Sequence, residues 1–335
     1  MLTYTLRRLL LAIPTLLLIS LVIFFMVDLA PGSPMSEIPL TVPPEVRLKM
    51  MAAMGADQPV VVRYILWLRQ FFWVEPATLF DSWFGTGWAA GEQRILSWQT
   101  RSPVFSMIGE RLPQTMTVIG TAYLVGILIA LPIGIYSAYR QYSWFDQAGT
   151  AFAMIGFSVP TFFTGTLFII IFAVWLGWFP TKYDTTLSVT DWDSFVKQLR
   201  QMALPVMTLG LANAAAISRY MRSSMLDNMG MDYVRTARAK GLPERTVVLK
   251  HVLRNSLIPV VTVIALGIPS IFGGAIITEN LFGVNGIGAA LILAIHASDL
   301  PTVQTLAFIF AVLIVLFNLI ADILYGLLDP RIRYD

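Results

Sequence analysis

The chain has 335 residues, 56% hydrophobic and 13% charged, with a formal net charge of +3 and a mean hydropathy of +0.71. That balance excludes an ordinary soluble domain and indicates an integral membrane protein, in which basic residues gathered in loops reflect topogenesis; nucleic acid is not an expected partner. Without cysteine there are no disulfides, thiolate nucleophiles or cysteine metal sites, and the compartment stays open.

Arg7 and Arg8 precede an apolar run from Leu9 to Val27. It exceeds the ~7 to 15 residues of a signal-peptide core, and no small-x-small cleavage site follows, so it is read as a retained first span. Residues 28–115 form the next segment and carry several arginines. Loops beyond about 60 residues translocate largely regardless of charge, so this one is expected to fold as a small helical extracytoplasmic cap. Within it, Pro43-Pro44-Glu45 opens a helix to about Met54, and a second, apolar-aromatic helix runs from Pro59 to about Trp73, with proline where first turns accept it. The Trp- and Gly-rich stretch from Asp81 to Trp98 has no period; it suits the outer interface, with a substrate lid as the alternative.

Further apolar runs of roughly span length follow: Met116 to Ala138, Thr150 to Leu176, the short Met202 to Ile217, Leu257 to Thr278, and Val303 to Leu328. With the first, they make six transmembrane helices and put both termini on one side. The loop from Arg219 to Asn255 holds eight Lys/Arg against three acids, whereas Glu279 to Thr302 holds no Lys or Arg, so both termini are expected to be cytoplasmic. The fold class is an all-α polytopic membrane protein, residues 1–335 forming one transmembrane domain. Ala130, Gly134 and Ala138, and likewise Gly210, Ala214 and Ser218, form small-residue ridges for close helix packing. Prolines within the runs require other groups to satisfy freed carbonyls. Pro160 and Pro269, flanked by Gly, Ser or Thr, are the candidate bends of a translocation pathway.

No phosphate-binding G-x-x-x-x-G-K-[ST] occurs, and Gly283 to Gly288 lacks the lysine and hydroxyl that motif needs, so any ATP used must be bound by another chain. His251 and His296 fall on opposite predicted faces, which removes them as a shared metal site. The spans hold almost no ionisable groups; Asp28 and Asp322 sit near their ends, the latter close to Tyr325, Asp329, Arg331 and Arg333. A proton- or sodium-coupled mechanism therefore has little to work with.

The basic loop differs. Its segment Asp232-Tyr233-Val234-Arg235-Thr236-Ala237-Arg238-Ala239-Lys240-Gly241 reads as a helix of about nine residues, with Asp232 capping its start and Gly241 closing it in the left-handed conformation. Leu242-Pro243-Glu244 restarts a second helix, with Val248, Leu249 and Val252 on one flank. Tyr233, Val234 and Ala237 form a small apolar face inside a rim of Arg235, Arg238 and Lys240. So short a helix needs packing to persist. Docking on a partner protein and lying on anionic lipid headgroups are the two readings, and the small apolar face favours the first.

These residues resemble the cytoplasmic signature of binding-protein-dependent ABC transporter permeases, in particular the dipeptide/oligopeptide permease family. The resemblance runs through the chain: Tyr4 with Arg7 to Leu10 and Ile13-Pro14-Thr15; Ala30 to Pro34; Asp57-Gln58-Pro59 with Arg63, Tyr64 and Trp67; Pro103-Val104; Arg111 to Pro113; Ser158 to Pro160; Leu204-Pro205; Arg219 with Arg222 to Ser224; Asp232 to Gly241; His251 to Asn255 and Pro259; then Asn318-Leu319, Asp322, Tyr325 and Asp329 to Arg331. It implies that residues 232–241 are the coupling helix, seated on an ATPase subunit. It implies a complex with a second homologous permease, two ABC ATPase subunits that bind ATP and Mg, and an extracytoplasmic substrate-binding protein, all at a bacterial or archaeal inner membrane. This chain departs from the family in reading Arg235-Thr236-Ala237 for Glu-Ala-Ala, Asn285-Gly286 for Pro-Gly, and in its Trp-rich stretch. The expected function is a non-enzymatic permease subunit importing di- or oligopeptides, with oligosaccharides or metal chelates as alternative cargo. A stand-alone secondary transporter or channel, and a membrane anchor for signalling partners, are the other classes.

Overall fold

Backbone inside hydrocarbon must satisfy its own hydrogen bonds, which leaves helices or closed barrels. Among the described residues every regular element is a helix. The computed structural model describes residues 2–29, 43, 45–46, 57–272 and 276–328. The segment 30–34, most of the helix expected from Pro43 to Met54, and Asp329, Arg331 and Arg333 lie outside the described residues, as does the side chain of Tyr325.

In chain order the helices are α1 (Leu2–Asp28), then α2 (Val60–Arg69), which passes through a π-helical turn (Gln70–Val74) into α3 (Glu75–Phe84). Next come α4 (Val104–Thr115), joined by a second π-helical turn (Met116–Gly120) to α5 (Thr121–Tyr139), and α6 (Trp144–Ser158). They are followed by α7 (Thr161–Phe168), prolonged by wide turns through Trp175, α8 (Trp192–Met229) and α9 (Asp232–Ala239). A single turn, α10 (Glu244–Thr246), leads through wide turns (Val247–Val252) into α11 (Leu253–Gly267). The chain closes with α12 (Pro269–Phe272), α13 (Ile276–Phe282), α14 (Ile287–His296) and α15 (Leu300–Leu328).

Five stretches are long and apolar enough to cross a bilayer unbroken: Leu6–Asp28, Val104–Tyr139, Trp192–Met229, Glu244–Gly267 and Leu300–Leu324. The expected third span, Thr150 to Leu176, is instead a bent pair, α6 and α7 meeting at 104°. Its break lies at Val159 and Pro160, both extended, because proline lacks an N–H and bars the helical region to the residue before it. The fourth run, read from Met202 to Ile217, is the core of a 38-residue helix whose ends carry Lys197, Arg200, Arg219 and Arg222. Those charges hid it from an apolar-run criterion. The fifth, read from Leu257 to Thr278, starts earlier and stops at Gly267. There the Ile268 amide bonds Ala265, and the Tyr123 hydroxyl donates to the freed Ile264 carbonyl at 2.6 Å. Pro269 follows, buried, opening α12.

The chain forms two compact units. The larger, built on residues 114–285 with both chain ends, centres on α5 against α8. The two small-residue ridges meet there: Ala130, Gly134, Ala138, Gly210, Ala214 and Ser218 are all buried. A Cβ added to Gly134 would lie 2.6 Å from Met221 Cβ and 2.7 Å from the Ser218 carbonyl oxygen, so only glycine permits this approach. In the same unit, Asp146 at the start of α6 receives Arg222 of α8 in a two-point bridge of 2.6 and 2.8 Å. Glu279 of α13 is fully buried and accepts from the Thr115 hydroxyl at 2.9 Å. Asp146, Arg222 and Glu279 lie just beyond the ends of the apolar runs read from the sequence, and the helices of the structure take them in. Asp322 pairs with Arg8 at 2.7 Å.

The smaller unit, residues 10–113 and 286–315, packs the aromatic side chains of Phe24, Tyr64, Trp67, Phe71 and Phe308 around one another. The second cap helix runs past Trp73 to Phe84, because Glu75-Pro76 enters a first turn and does not end the helix. Beyond it Asp81 organises the Trp-rich stretch. Its carboxylate accepts from the Thr86 hydroxyl and from the Trp88 and Ala89 amides at 2.9 and 2.8 Å, which hold its pKa below the usual carboxylate range. Asp299, buried, accepts from the Trp98 amide at 2.9 Å and the Thr302 hydroxyl at 2.8 Å, pinning this loop to the start of α15.

Candidate functional site: the basic helix

Helix α9 begins one residue earlier in its cap than the sequence suggests. Met231 occupies the N-cap, with no side-chain hydrogen bond, and Asp232 lies in the first turn, where its charge still favours the positive helix end. Its carboxylate stands 3.5 Å from Arg235, a weak, fully solvated contact.

The far end closes as expected. Gly241 has φ +75°, its amide bonds the Arg238 carbonyl at 2.9 Å, and the Leu242 amide bonds the Ala237 carbonyl at 3.4 Å. That pair of bonds is the Schellman closure. Arg238 then reaches across the turn to Glu244, Nε to Oε2 3.1 Å and Nη2 to Oε1 2.7 Å, which holds the Arg238 pKa above its usual value.

The apolar face does not point outward. Val234 is fully buried and Ala237 is 5% exposed, packed in one cluster with Val247, Val248 and Val252. Eight residues cannot hold a helix alone, and this internal packing supplies what an isolated segment lacks. What stays exposed is Tyr233, at 36%, with Met231, Leu242 and Leu249, among Arg235, Thr236, Arg238, Ala239 and Lys240.

A polar thread anchors this helix to two others. The Tyr233 hydroxyl donates to Asn228 Oδ1 at 2.6 Å, and Asn228 Nδ2 donates to the Ser224 carbonyl at 2.9 Å. The Ser224 hydroxyl donates to the Ser256 carbonyl at 2.8 Å, while the Ser256 hydroxyl points back to the Ser224 carbonyl at 3.1 Å. Asn228, Ser224, Ser256 and Glu244 join the site in the structure, beyond the residues to which the sequence points. Asn228, Ser224 and Ser256 lie 4 to 32 positions from the residues they bond, with polar side chains ordinary for a loop or helix end. Of the proposed pathway bends, Pro160 marks the sharp turn between α6 and α7 and Pro269 the break after α11, each within the larger unit.

These features define a polytopic α-helical membrane protein that presents a braced, cationic helix from its basic loop. Two family models match the chain: the binding-protein-dependent transport system inner membrane component over residues 130–334, and the N-terminal region of such components over residues 1–119. The chain belongs to this family, the permeases of ABC importers, and is a multi-pass protein of the bacterial inner membrane. It is 37% identical to the oligopeptide transport system permease protein AppB of Bacillus subtilis, with 100% of both chains covered. It is 36% identical to the glutathione transport system permease protein GsiC of Salmonella typhimurium, again over 100% of both, and 36% identical to a putative peptide transport system permease protein of Brucella abortus over 98% of both. Among solved structures, an amino acid ABC transporter with histidines covers 68% of this chain and 95% of its own at a TM-score of 0.47 and 13% identity, a likeness too distant to carry weight.

Proposed function

We propose that this permease forms the translocation path of an importer of short peptides, and that residues 232–241 are its coupling helix. The observation that carries the reading is the division of labour on α9: Val234 and Ala237 face inward, while Tyr233, Arg235 and Arg238 stand on the outward side, braced by Asn228 and Glu244. A helix fixed to the core on one side and cationic on the other can transmit a push. Relatives named for oligopeptide and glutathione transport, aligned end to end, support peptides as the cargo.

In this reading two ATPase subunits bind ATP and Mg, a second homologous permease completes the path, and an extracytoplasmic binding protein delivers the cargo. Both termini and α9 are cytoplasmic, and Pro160 and Pro269 are bends along the path. Nucleotide shifts the inward- and outward-open states only so far as the ATP-bound partners prefer one of them.

The chain has no cysteine, so a single substitution gives a clean probe. With Arg235→Cys, a membrane-impermeant maleimide is expected to label inverted vesicles but not intact cells, and assembled ATPase subunits should block the labelling. Labelling from outside, or no protection by the ATPase, overturns the assignment.

A further inference from the structure

We infer that the cleft between α5, α6 and α8, beside the root of the coupling helix, binds a phosphate group, and that its source is an anionic phospholipid of the inner leaflet. The cytoplasmic placement rests on the reading above; the donor geometry does not.

The cavity, about 300 Å³, lies within the larger unit and is floored by Ile133, Gly134, Ala153 and Met154. Its polar lining is mostly donors. Ser137 is 98% buried, from a 2% exposure, and its hydroxyl finds no partner among the described residues. Thr150 and Ser223 contribute hydroxyls, also without a hydrogen bond among the described residues. Arg222 spends Nε and Nη2 on Asp146, which keeps the guanidinium in place and leaves Nη1 uncommitted. Arg219 lies with its guanidinium carbon 4.9 Å from the centre of the Phe157 ring, an arrangement that leaves its N–H edges open. Asp227, exposed at the rim, is the one lining carboxylate. Thr150, Ser223 and Arg219 are exposed and Arg222 is half-buried around this one cleft, and a phosphate offers them acceptor oxygens and the negative charge that guanidinium groups match.

Two features favour a lipid as its carrier. Exposed Tyr136, Tyr139, Tyr142, Trp144 and Tyr220 lie around the same ends of α5, α6 and α8, and such residues gather at headgroup depth. Below the cleft, Met154 and Phe157 expose an apolar strip along α6 on which an acyl chain can lie. Basic pockets between membrane helices on the cytoplasmic side are a recurrent way to hold lipid phosphates.

The test is native mass spectrometry of the full chain in detergent, titrated separately with phosphatidylglycerol, phosphatidylcholine and inorganic phosphate. Preferential retention of phosphatidylglycerol is expected, falling roughly fivefold with Arg219→Gln, the factor for one basic group at a lipid surface, and rising with Asp227→Asn. Both positions are exposed, so folding should survive, and unchanged thermal unfolding verifies it. Equal retention of the two lipids, or no response to either substitution, overturns the site. Displacement of phosphatidylglycerol by millimolar inorganic phosphate keeps the phosphate site and overturns the lipid source. No ATPase is needed for this readout, so its failure is separable from failure of the coupling assignment.

Discussion

Ser224 and Ser256, thirty-two residues apart, hydrogen-bond each other twice: the Ser224 hydroxyl to the Ser256 carbonyl at 2.8 Å, and the Ser256 hydroxyl to the Ser224 carbonyl at 3.1 Å. The second hydroxyl has a single hydrogen and shares it with the Val252 carbonyl at 2.9 Å. The two serines clamp α8 to α11 on either side of the basic helix. On the proposed coupling role, a displacement of α9 would be delivered to both helices together.

Removing that clamp should cost stability and transmission in different proportions. Ser256→Ala deletes one buried hydroxyl, about 1 to 2 kcal/mol, and leaves the Ser224–Ser256 carbonyl bond intact. We expect thermal unfolding to fall by a few degrees, with ATP hydrolysis in the assembled transporter retained and uptake per ATP reduced. A double-mutant cycle with Ser224→Ala should be non-additive, because the two sites share partners. Strict additivity would show that the serines act apart.

How much of this was legible in sequence follows from the range of the forces involved. Local signals held: Gly241 closes its helix, Pro160 stops one, and the four-residue ridges of α5 and α8 meet. Each is a short-range backbone or steric rule written within a turn or two. The sidedness of α9 was not legible, since Val234 and Ala237 suit a partner's groove as well as the protein's own core, and only tertiary packing decides. The length of α8 escaped for another reason: charges near its ends ended the apolar run without ending the helix. Asp146, one carboxylate among several loop-side acids, gave no hint that it would be buried against Arg222.

At Gly241 the constraint is purely conformational. A Cβ there would meet nothing within 4 Å, yet φ is +75°. Gly241→Val should therefore cost more than the roughly 1 to 2 kcal/mol of an ordinary L-residue in the left-handed region, because branching at Cβ crowds it further. Gly241→Asn, which tolerates that region, should cost less. Membrane insertion of both variants should be normal on immunoblots, with uptake lost in the valine form and largely kept in the asparagine form. Equal activity of the two would contradict a role for the helix stop.

The Arg238–Glu244 bridge is half exposed, with side-chain exposures of 44% and 43%, so its worth to stability is about 0 to 1 kcal/mol. Its value is geometric, since it fixes the angle at which the chain leaves α9. Glu244→Arg should leave unfolding temperature within error while lowering coupled uptake. The exchange Arg238→Glu with Glu244→Arg restores the bridge and is expected to recover uptake in part. No recovery would mean that Arg238 is read directly by the partner and not through its bond to Glu244.

Gly134 offers the sharpest steric test, because the group it excludes is backbone. A methyl there would sit 2.7 Å from the Ser218 carbonyl oxygen and 2.6 Å from Met221 Cβ, and neither atom can swing away. To admit it, α5 and α8 must part by several tenths of an ångström along their tightest contact. Overpacking of that kind costs typically about 1 to 3 kcal/mol. In a membrane it bites harder, since close van der Waals contact, not water exclusion, holds such helices together. Gly134→Ala should lower the thermal midpoint in detergent, and Gly134→Leu should prevent recovery of folded protein. Replacing Met221 by alanine still leaves a Cβ, so Met221→Ala should not rescue Gly134→Ala; rescue would locate the clash in the methionine's flexible end and not in the helix backbone.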